Sequence, residues 1–215
     1  MSRTPLDLRL YLVTDTEMTQ RHGLYATIQA AVAGGATAVQ LRDPHASDEE
    51  FVALGVLARR ALAPSGVPLI VNDRVHLVGR IGADGAHVGQ SDLEPEQARA
   101  VLGGTAYLGL SCTTAEQVRA ARELPHGTVD YLGLGPVWAT SSKTGHGPPI
   151  GVAGLAVLAA AADLPAVAIG GIDASRAAAV LATGVDGLAV IRAICAVGDP
   201  QAAALELASL VGAPR

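Results

Sequence analysis

Aromatic side chains are scarce: one phenylalanine, one tryptophan and four tyrosines make up 3% of the 215 residues. The core must then be filled by Ala, Val, Leu and Ile, within a composition that is 50% hydrophobic. Such a core suits parallel strands covered by alanine-rich helices. Cysteine is limited to Cys112 and Cys195, which have no metal-ligand spacing and form no disulfide framework. Both read as small buried residues of a reduced cytosol. Charged residues make up 16% of the chain, with a net charge of −5 and a pI near 5.6. No long basic run or aromatic-basic interleaving is present, which argues against nucleic acid as the main ligand. Mean hydropathy is +0.36, yet no helical stretch is an 18-residue apolar span. The opening MSRTPLDLRLYLV is too short in its apolar run, and too interrupted by charge, for a signal peptide. The expectation is a cytoplasmic protein with no membrane partner. No Cys/His or Ser/His pair is evident for covalent catalysis.

What is present is an alternation. Strand-like segments fall at residues 9–13, 37–42, 68–72, 85–89, 106–111, 130–135, 166–170 and 187–191. Helical segments follow at 23–34, from the Ser47 cap to about 63, 73–82, 94–102, 114–124, 152–162, 173–183 and 200–211. Ser47 with Glu50 three residues later forms a capping-box signature. Eight strand-then-helix units, with short and mostly apolar strands, predict an α/β fold: a (β/α)8 TIM barrel formed by residues 1–215 as a single domain. An open doubly wound sheet ranks second, because no Gly-x-Gly-x-x-Gly turn follows the first strand.

In a barrel the chemistry gathers at the C-terminal strand ends. Here those ends are polar or glycine: Gln40-Leu41-Arg42, Asn72-Asp73, Gln90-Ser91-Asp92, Ser111, Gly170-Gly171 and Ile191-Arg192. After the sixth strand the chain leaves all periodicity. Lys143 stands there among Thr140, Ser141, Ser142 and Thr144, a composition suited to phosphate or to surface flexibility. Asp73 and Asp92 lie one unit apart and suit Mg²⁺, which keeps waters and takes substrate phosphates as further ligands; singly, each reads as a cap or turn residue. Gly171 with Ile191-Arg192 occupies the usual barrel phosphate site, and Arg42 suits a bidentate phosphate clamp. His87, inside the fourth strand, reads as a satisfied core histidine. Trp138 reads either as a wall for a heteroaromatic ligand or as a loop anchor. The pattern implies two anionic groups in one mouth, one of them metal-bridged, and it fits chemistry that expels pyrophosphate.

At these residues the chain resembles the thiamine-phosphate synthase family. The matching phrases are LYLVTD (10–15), AVQLRD (38–43), LIVND (69–73), GADGAHVGQSDL (82–93), LGLSC (108–112), DYLGLGPVWATSSKTGH (130–146), AIGGI (168–172) and GLAVIRAI (187–194). They span the chain in the family's order, and their combination is far more specific than any one of them. The resemblance implies an Mg²⁺-dependent transferase of thiamine biosynthesis that joins a pyrimidine diphosphate to a thiazole phosphate, with pyrophosphate released. It places the pyrimidine diphosphate on Gln40, Leu41, Arg42, Asp43, Pro44, Asn72, Ser111 and Lys143. It places the thiazole phosphate on Thr140, Ser141, Ser142, Gly171, Ile191 and Arg192, and Mg²⁺ on Asp73 and Asp92. Arg42 and Lys143 would carry the catalytic charge. The implied partners are small-molecule substrates, and the oligomeric state, a homo-oligomer included, is left open.

Two positions depart from the family. Pro44 stands where many relatives carry lysine, unless Arg74 or another residue substitutes for that cation, and Arg192 stands where many carry serine. Sister thiazole tautomerases use a histidine just after the fifth strand, where this chain has Thr113, and often lack the second aspartate, which is present here as Asp92. Tautomerase activity, a lysine Schiff-base aldolase and a non-catalytic thiazole-phosphate-binding barrel are the competing readings.

Overall fold

The computed structural model describes residues 4–140 and 147–212. Eight parallel strands close in sequence order: β1 (Leu10–Val13), β2 (Ala38–Leu41), β3 (Leu69–Asn72), β4 (Gly85–Val88), β5 (Tyr107–Cys112), β6 (Tyr131–Leu134), β7 (Ala166–Ile169) and β8 (Gly187–Val190). β8 pairs back onto β1, with Leu10 opposite Leu188 and Leu12 opposite Val190. The helices are α1 (Leu24–Ala33), α2 (Asp48–Leu62), α3 (Val78–Ile81), α4 (Pro95–Leu102), α5 (Ala115–Glu123), α6 (Gly151–Ala161), α7 (Ala174–Leu181), α8 (Arg192–Cys195) and α9 (Pro200–Val211). The α/β barrel expected from the alternation is therefore the fold. At α2 the Ser47 hydroxyl accepts from the Glu50 amide, and Glu50 accepts in return from the Ser47 amide at 2.8 Å.

Two apolar layers explain why the strands show so little alternation in sequence. Leu10, Leu12, Val39, Leu41, Leu69, Val71, Leu108, Leu110, Leu188 and Val190 face the helical shell. Tyr11, Val13, Ala38, Ile70, Tyr131, Val167 and Ala189 fill the barrel interior. The period of 2 is present, but both of its faces are buried. Inward positions nearest the C-terminal ends turn polar at Gln40, Asn72, His87 and Ser111.

Two local expectations need correction. The short helix predicted over 73–82 is a 3₁₀ turn at Val75–Leu77 continued by the single-turn α3. Asp73 sits at φ 58°, outside helical geometry, and delays the start. The four residues of α8, Arg192–Cys195, were not anticipated; one turn is too short to display a helical period.

The N-terminal rim carries a fourfold device. A polar side chain just before each even strand accepts from a backbone amide of the preceding odd strand. Thr37 Oγ1 takes Leu10 N at 3.1 Å, Asp84 Oδ2 takes Leu69 N at 2.8 Å, Asp130 Oδ2 takes Leu108 N at 2.7 Å, and Asp186 Oδ2 takes Ala166 N at 2.8 Å. Arg99 adds a 2.7 Å ion pair to Asp130 and donates to the Ala106 carbonyl at 2.6 Å. This face is opposite the site described below, so its role is stability. Asp130→Ala strands the Leu108 amide and removes the ion-pair partner of Arg99, which keeps its backbone carbonyl acceptors. It is expected to cost about 2–4 kcal/mol, lowering Tm by roughly 5–10 °C while kcat stays within about twofold. Thermal unfolding beside steady-state kinetics checks this; an unchanged Tm would refute it.

Candidate active site

A large cavity of about 900 Å³ opens at the C-terminal ends of the strands. Of the residues singled out from sequence, Gln40, Arg42, Asn72, Asp73, Asp92, Ser111, Thr140, Gly171, Ile191 and Arg192 all line it. Strands from β2 to β8, up to 152 residues apart in sequence, deliver them, because every parallel strand ends at the same rim. Leu41 does not line the cavity; it is fully buried against the helical shell, since it alternates with Gln40 and Arg42. Asp43 and Pro44 also stand off the wall, with Asp43 Oδ1 accepting from the His45 and Ala46 amides at 2.9 and 3.0 Å. Ser141, Ser142, Lys143 and Thr144 lie outside the described residues.

Arg42 is only 7% exposed. Its Nη1 lies 3.5 Å from Asp15 Oδ2, and its amide donates to Thr14 Oγ1 at 3.2 Å. The end of β1 thus aims the guanidinium that β2 supplies. Arg74 is placed differently. It donates from Nη1 to Asp48 at 2.9 Å, reaches the Ala46 carbonyl through Nη2, and stacks 4.6 Å over the Phe51 ring. Held to the β2–α2 connection and absent from the cavity wall, it does not supply the cation that Pro44 omits.

Asp73 is the one non-glycine residue with positive φ among the described residues. A backbone conformation of that kind costs about 1–3 kcal/mol for most side chains, though aspartate tolerates it better than most. Its amide donates to the His87 carbonyl at 2.9 Å, which ties the β3 end to β4. Asp92 folds its Oδ2 onto the Gly89 amide at 2.7 Å, so the turn role read from the sequence is realised. Both carboxylates still face the same cavity. Among the described residues no group of three or more His, Cys, Asp or Glu converges as a metal cage. Two carboxylates on an open mouth fit Mg²⁺, which completes its shell with water and substrate oxygen, and do not fit a tetrahedral Zn²⁺ site.

The opposite side of the mouth is built by β7 and β8. Gly170 and Gly171 have φ of 107° and 66° and turn the chain tightly past Pro136 and Trp138; a Cβ on Gly171 would lie 2.8 Å from Trp138 Cβ. Trp138 does not wall the cavity. It packs half-buried on the core and carries the Arg176 guanidinium 4.8 Å over its ring, so it serves as an anchor. Arg176, which sequence reading missed, lines the cavity while donating to the Gly171 carbonyl at 2.6 Å. Its only sequence signal is a place one turn beyond Gly170-Gly171. Thr113 lines the wall after β5, and its hydroxyl and amide both donate to Gln117 Oε1, at 2.9 and 2.6 Å. No base occupies that position. The thiols take no part: burial pushes both Cys112 and Cys195 up to about 12.

His87 is satisfied, as expected, yet it also lines the cavity. Its Nδ1 lies 3.1 Å from the Tyr131 hydroxyl and its Nε2 2.8 Å from Ser111 Oγ, a Ser/His contact that the sequence did not show because β4 and β5 bring the two together. Burial holds the Tyr11 and Tyr131 phenols well above their ordinary value, so both stay neutral.

Comparisons with known proteins converge. Residues 10–194 match the family model described as thiamine monophosphate synthase. A thiamine-phosphate synthase from Psychrobacter sp. (strain PRwf-1) is 48% identical over 197 residues, covering 92% of each chain. One from Azorhizobium caulinodans is 44% identical over 211 residues, covering 98% of each. Among solved structures, a thiamine phosphate pyrophosphorylase from Pyrococcus furiosus superposes with a TM-score of 0.85 at 32% identity, over 96% of each chain.

Proposed function

This chain belongs to the thiamine monophosphate synthase family, and from that premise we infer that its mouth joins an aminopyrimidine diphosphate to a thiazole phosphate, forming thiamine phosphate and releasing pyrophosphate. It is a transferase of thiamine biosynthesis that works on small-molecule substrates. The observation that carries the reading is one cavity lined by two sets of groups suited to anions: Arg42, Asn72 and Ser111 from β2, β3 and β5, and Gly171 and Arg192 after β7 and β8.

In this reading Gln40, Arg42, Asn72 and Ser111 hold the pyrimidine diphosphate, joined by Lys143. Thr140, Gly171, Ile191 and Arg192 hold the thiazole phosphate, joined by Ser141 and Ser142. Asp73 and Asp92 would hold Mg²⁺. When bound, that ion supplies positive charge to the departing pyrophosphate. Arg42 meets the same developing charge with a planar guanidinium already oriented by Asp15. The bond between the pyrimidine methylene and the diphosphate oxygen breaks, and its electron pair leaves with pyrophosphate. The thiazole nitrogen lone pair forms the new carbon–nitrogen bond. The protein's task is positioning and charge.

The test is pyrophosphate release by the purified protein with both substrates, with Mg²⁺ and then with EDTA. Release that requires both substrates and the metal, with thiamine phosphate as product, is expected. No release despite thiazole-phosphate binding would point to the non-catalytic barrel. The tautomerase reading is disfavoured by Thr113, whose hydroxyl is spent on Gln117 where that chemistry uses a histidine.

Pro44 gives a further expected result. It is exposed beside the mouth with no cationic substitute in Arg74. Pro44→Lys adds a solvent-exposed ammonium near the diphosphate, worth about 1 kcal/mol or less. KM for the pyrimidine diphosphate should fall by roughly three- to fivefold, with KM for the thiazole phosphate unmoved. An unaltered diphosphate KM would remove Pro44 from the site.

A further inference from the structure

Five side chains from five strands form one continuous hydrogen-bond chain across the barrel interior. Gln40 Nε2 (β2) donates to the Tyr11 hydroxyl (β1) at 3.1 Å. The Tyr11 and Tyr131 hydroxyls (β1 and β6) lie 2.8 Å apart, with their rings edge-on at 5.9 Å. Tyr131 meets His87 Nδ1 (β4) at 3.1 Å, and His87 Nε2 meets Ser111 Oγ (β5) at 2.8 Å. Four of the five are buried: Tyr131 is 0% exposed, Tyr11 1%, Gln40 5% and His87 7%. Room for it is made by Gly109, where a Cβ would fall 2.2 Å from Tyr131 Cζ and 2.3 Å from His87 Nδ1. Gln40, Tyr11, His87 and Ser111 all line the cavity, whereas Tyr131 does not.

We propose that Tyr11, Tyr131 and His87 are positioning residues that lock Gln40 and Ser111 into one donor–acceptor sense toward the pyrimidine substrate. The proposal rests on the function inferred above. Its logic is a count of hydrogens. A neutral phenol donates once, and a neutral imidazole has one N–H. While His87 is neutral the chain can run in only two senses, and a doubly protonated ring in the nitrogen spectrum below would overturn the count. If Gln40 donates, each phenol passes its hydrogen on, His87 receives at Nδ1 and donates from Nε2, and Ser111 accepts. Gln40 then presents Oε1, and Ser111 points its O–H at the ligand. In the reverse sense every bond flips, Gln40 presents its NH2, and Ser111 becomes an acceptor. A mixed chain would leave a buried group without a partner. The first sense suits an aminopyrimidine diphosphate: its exocyclic amine donates and its diphosphate accepts. The second would oppose two acceptors at Ser111. The bond from a serine hydroxyl to an ionised oxygen is charge-assisted, so the first sense is the one that favours the substrate.

The experiment reads the tautomer directly. Protein carrying 15N-histidine is recorded by long-range proton–nitrogen correlation, with the His87 signal assigned by its loss in His87→Gln. Wild-type His87 is expected to carry its proton on Nε2, with Nδ1 bare. Tyr131→Phe removes the donor to Nδ1, and Tyr11→Phe cuts the link to Gln40 one step earlier. In either, His87 is expected to lose its single tautomer, and KM for the pyrimidine diphosphate to rise about tenfold. KM for the thiazole phosphate should stay within about twofold. In a Ser111→Ala background the same tyrosine change should add less than about twofold, because the end it controls is gone. An Nδ1–H tautomer in the wild type overturns the proposal even if neither tyrosine variant folds. So does an unaltered tautomer in a folded tyrosine variant, or full multiplication of the Ser111 and tyrosine effects. Absence of thiamine phosphate formation by the wild type would instead defeat the functional reading, and the tautomer would still report on the chain.

Discussion

Arg42→Ala is expected to lower kcat/KM for the pyrimidine diphosphate about 10³-fold, a loss of about 4 kcal/mol of transition-state stabilisation. The magnitude follows from the setting. Arg42 is 7% exposed, so its charge acts in a medium far less screening than water. It is aimed by Asp15 at 3.5 Å and by Thr14 beneath its amide. It therefore needs no reorganisation when charge builds on the leaving group. Arg42→Lys keeps the charge but loses the planar fork, and should still cost about a hundredfold. Asp15→Asn keeps Arg42 and removes only its orienting partner; about a tenfold loss is expected. The ordering Ala, Lys, Asn at these two positions separates charge from geometry. Initial rates of pyrophosphate release measure it. A loss under tenfold for Arg42→Ala would show that the clamp lies elsewhere in the mouth.

Asp92→Asn is the second large effect, and the choice of asparagine decides between two roles. Asp92 accepts from the Gly89 amide at 2.7 Å, and an asparagine carbonyl can accept the same bond. If the residue only shapes the turn, the variant is near wild type. If it holds Mg²⁺, activity falls about 10²–10³-fold and the half-saturating Mg²⁺ concentration rises about tenfold or more. We expect the second result. Asp73→Asn follows the same logic. Asparagine tolerates φ near 58°, so the backbone survives while one carboxylate charge is lost. Mg²⁺ titrations of both variants, with thermal unfolding alongside, make the comparison. Full activity with an unchanged Mg²⁺ response in Asp92→Asn would eliminate the metal role.

The barrel was legible because its cause is local. Each strand is a short apolar run, several helices start with a side-chain cap (Ser47, Thr114, Asp173 and Asp199), and glycine ends several of the helices. The rim was legible for the same reason: in a parallel barrel the residue after each strand must reach one face, so Gln40, Asn72, Ser111 and Ile191 could be placed from order alone. Leu41 shows the limit. Its neighbours on both sides enter the cavity while it turns outward, and a window of consecutive residues does not carry that parity into the site.

Arg74, Arg176 and His87 show what order could not supply. Arg74 looked like a spare cation, yet Asp48, the Ala46 carbonyl and the Phe51 ring hold it on the β2–α2 side. Arg176 was not singled out in the sequence, yet Trp138 and the Gly171 carbonyl turn it to the mouth. His87 read as a core residue, and it is one; its significance comes from Tyr131, Ser111 and the space left by Gly109. The sequence alone determined the eight βα units, the polar rim and the family, because strand length, capping and motif order are written along the chain. The tertiary structure decided which charges are aimed and which are spent, and joined Gln40 to Ser111 through three buried groups. Those contacts join residues up to 120 positions apart, and their partners are set by barrel closure.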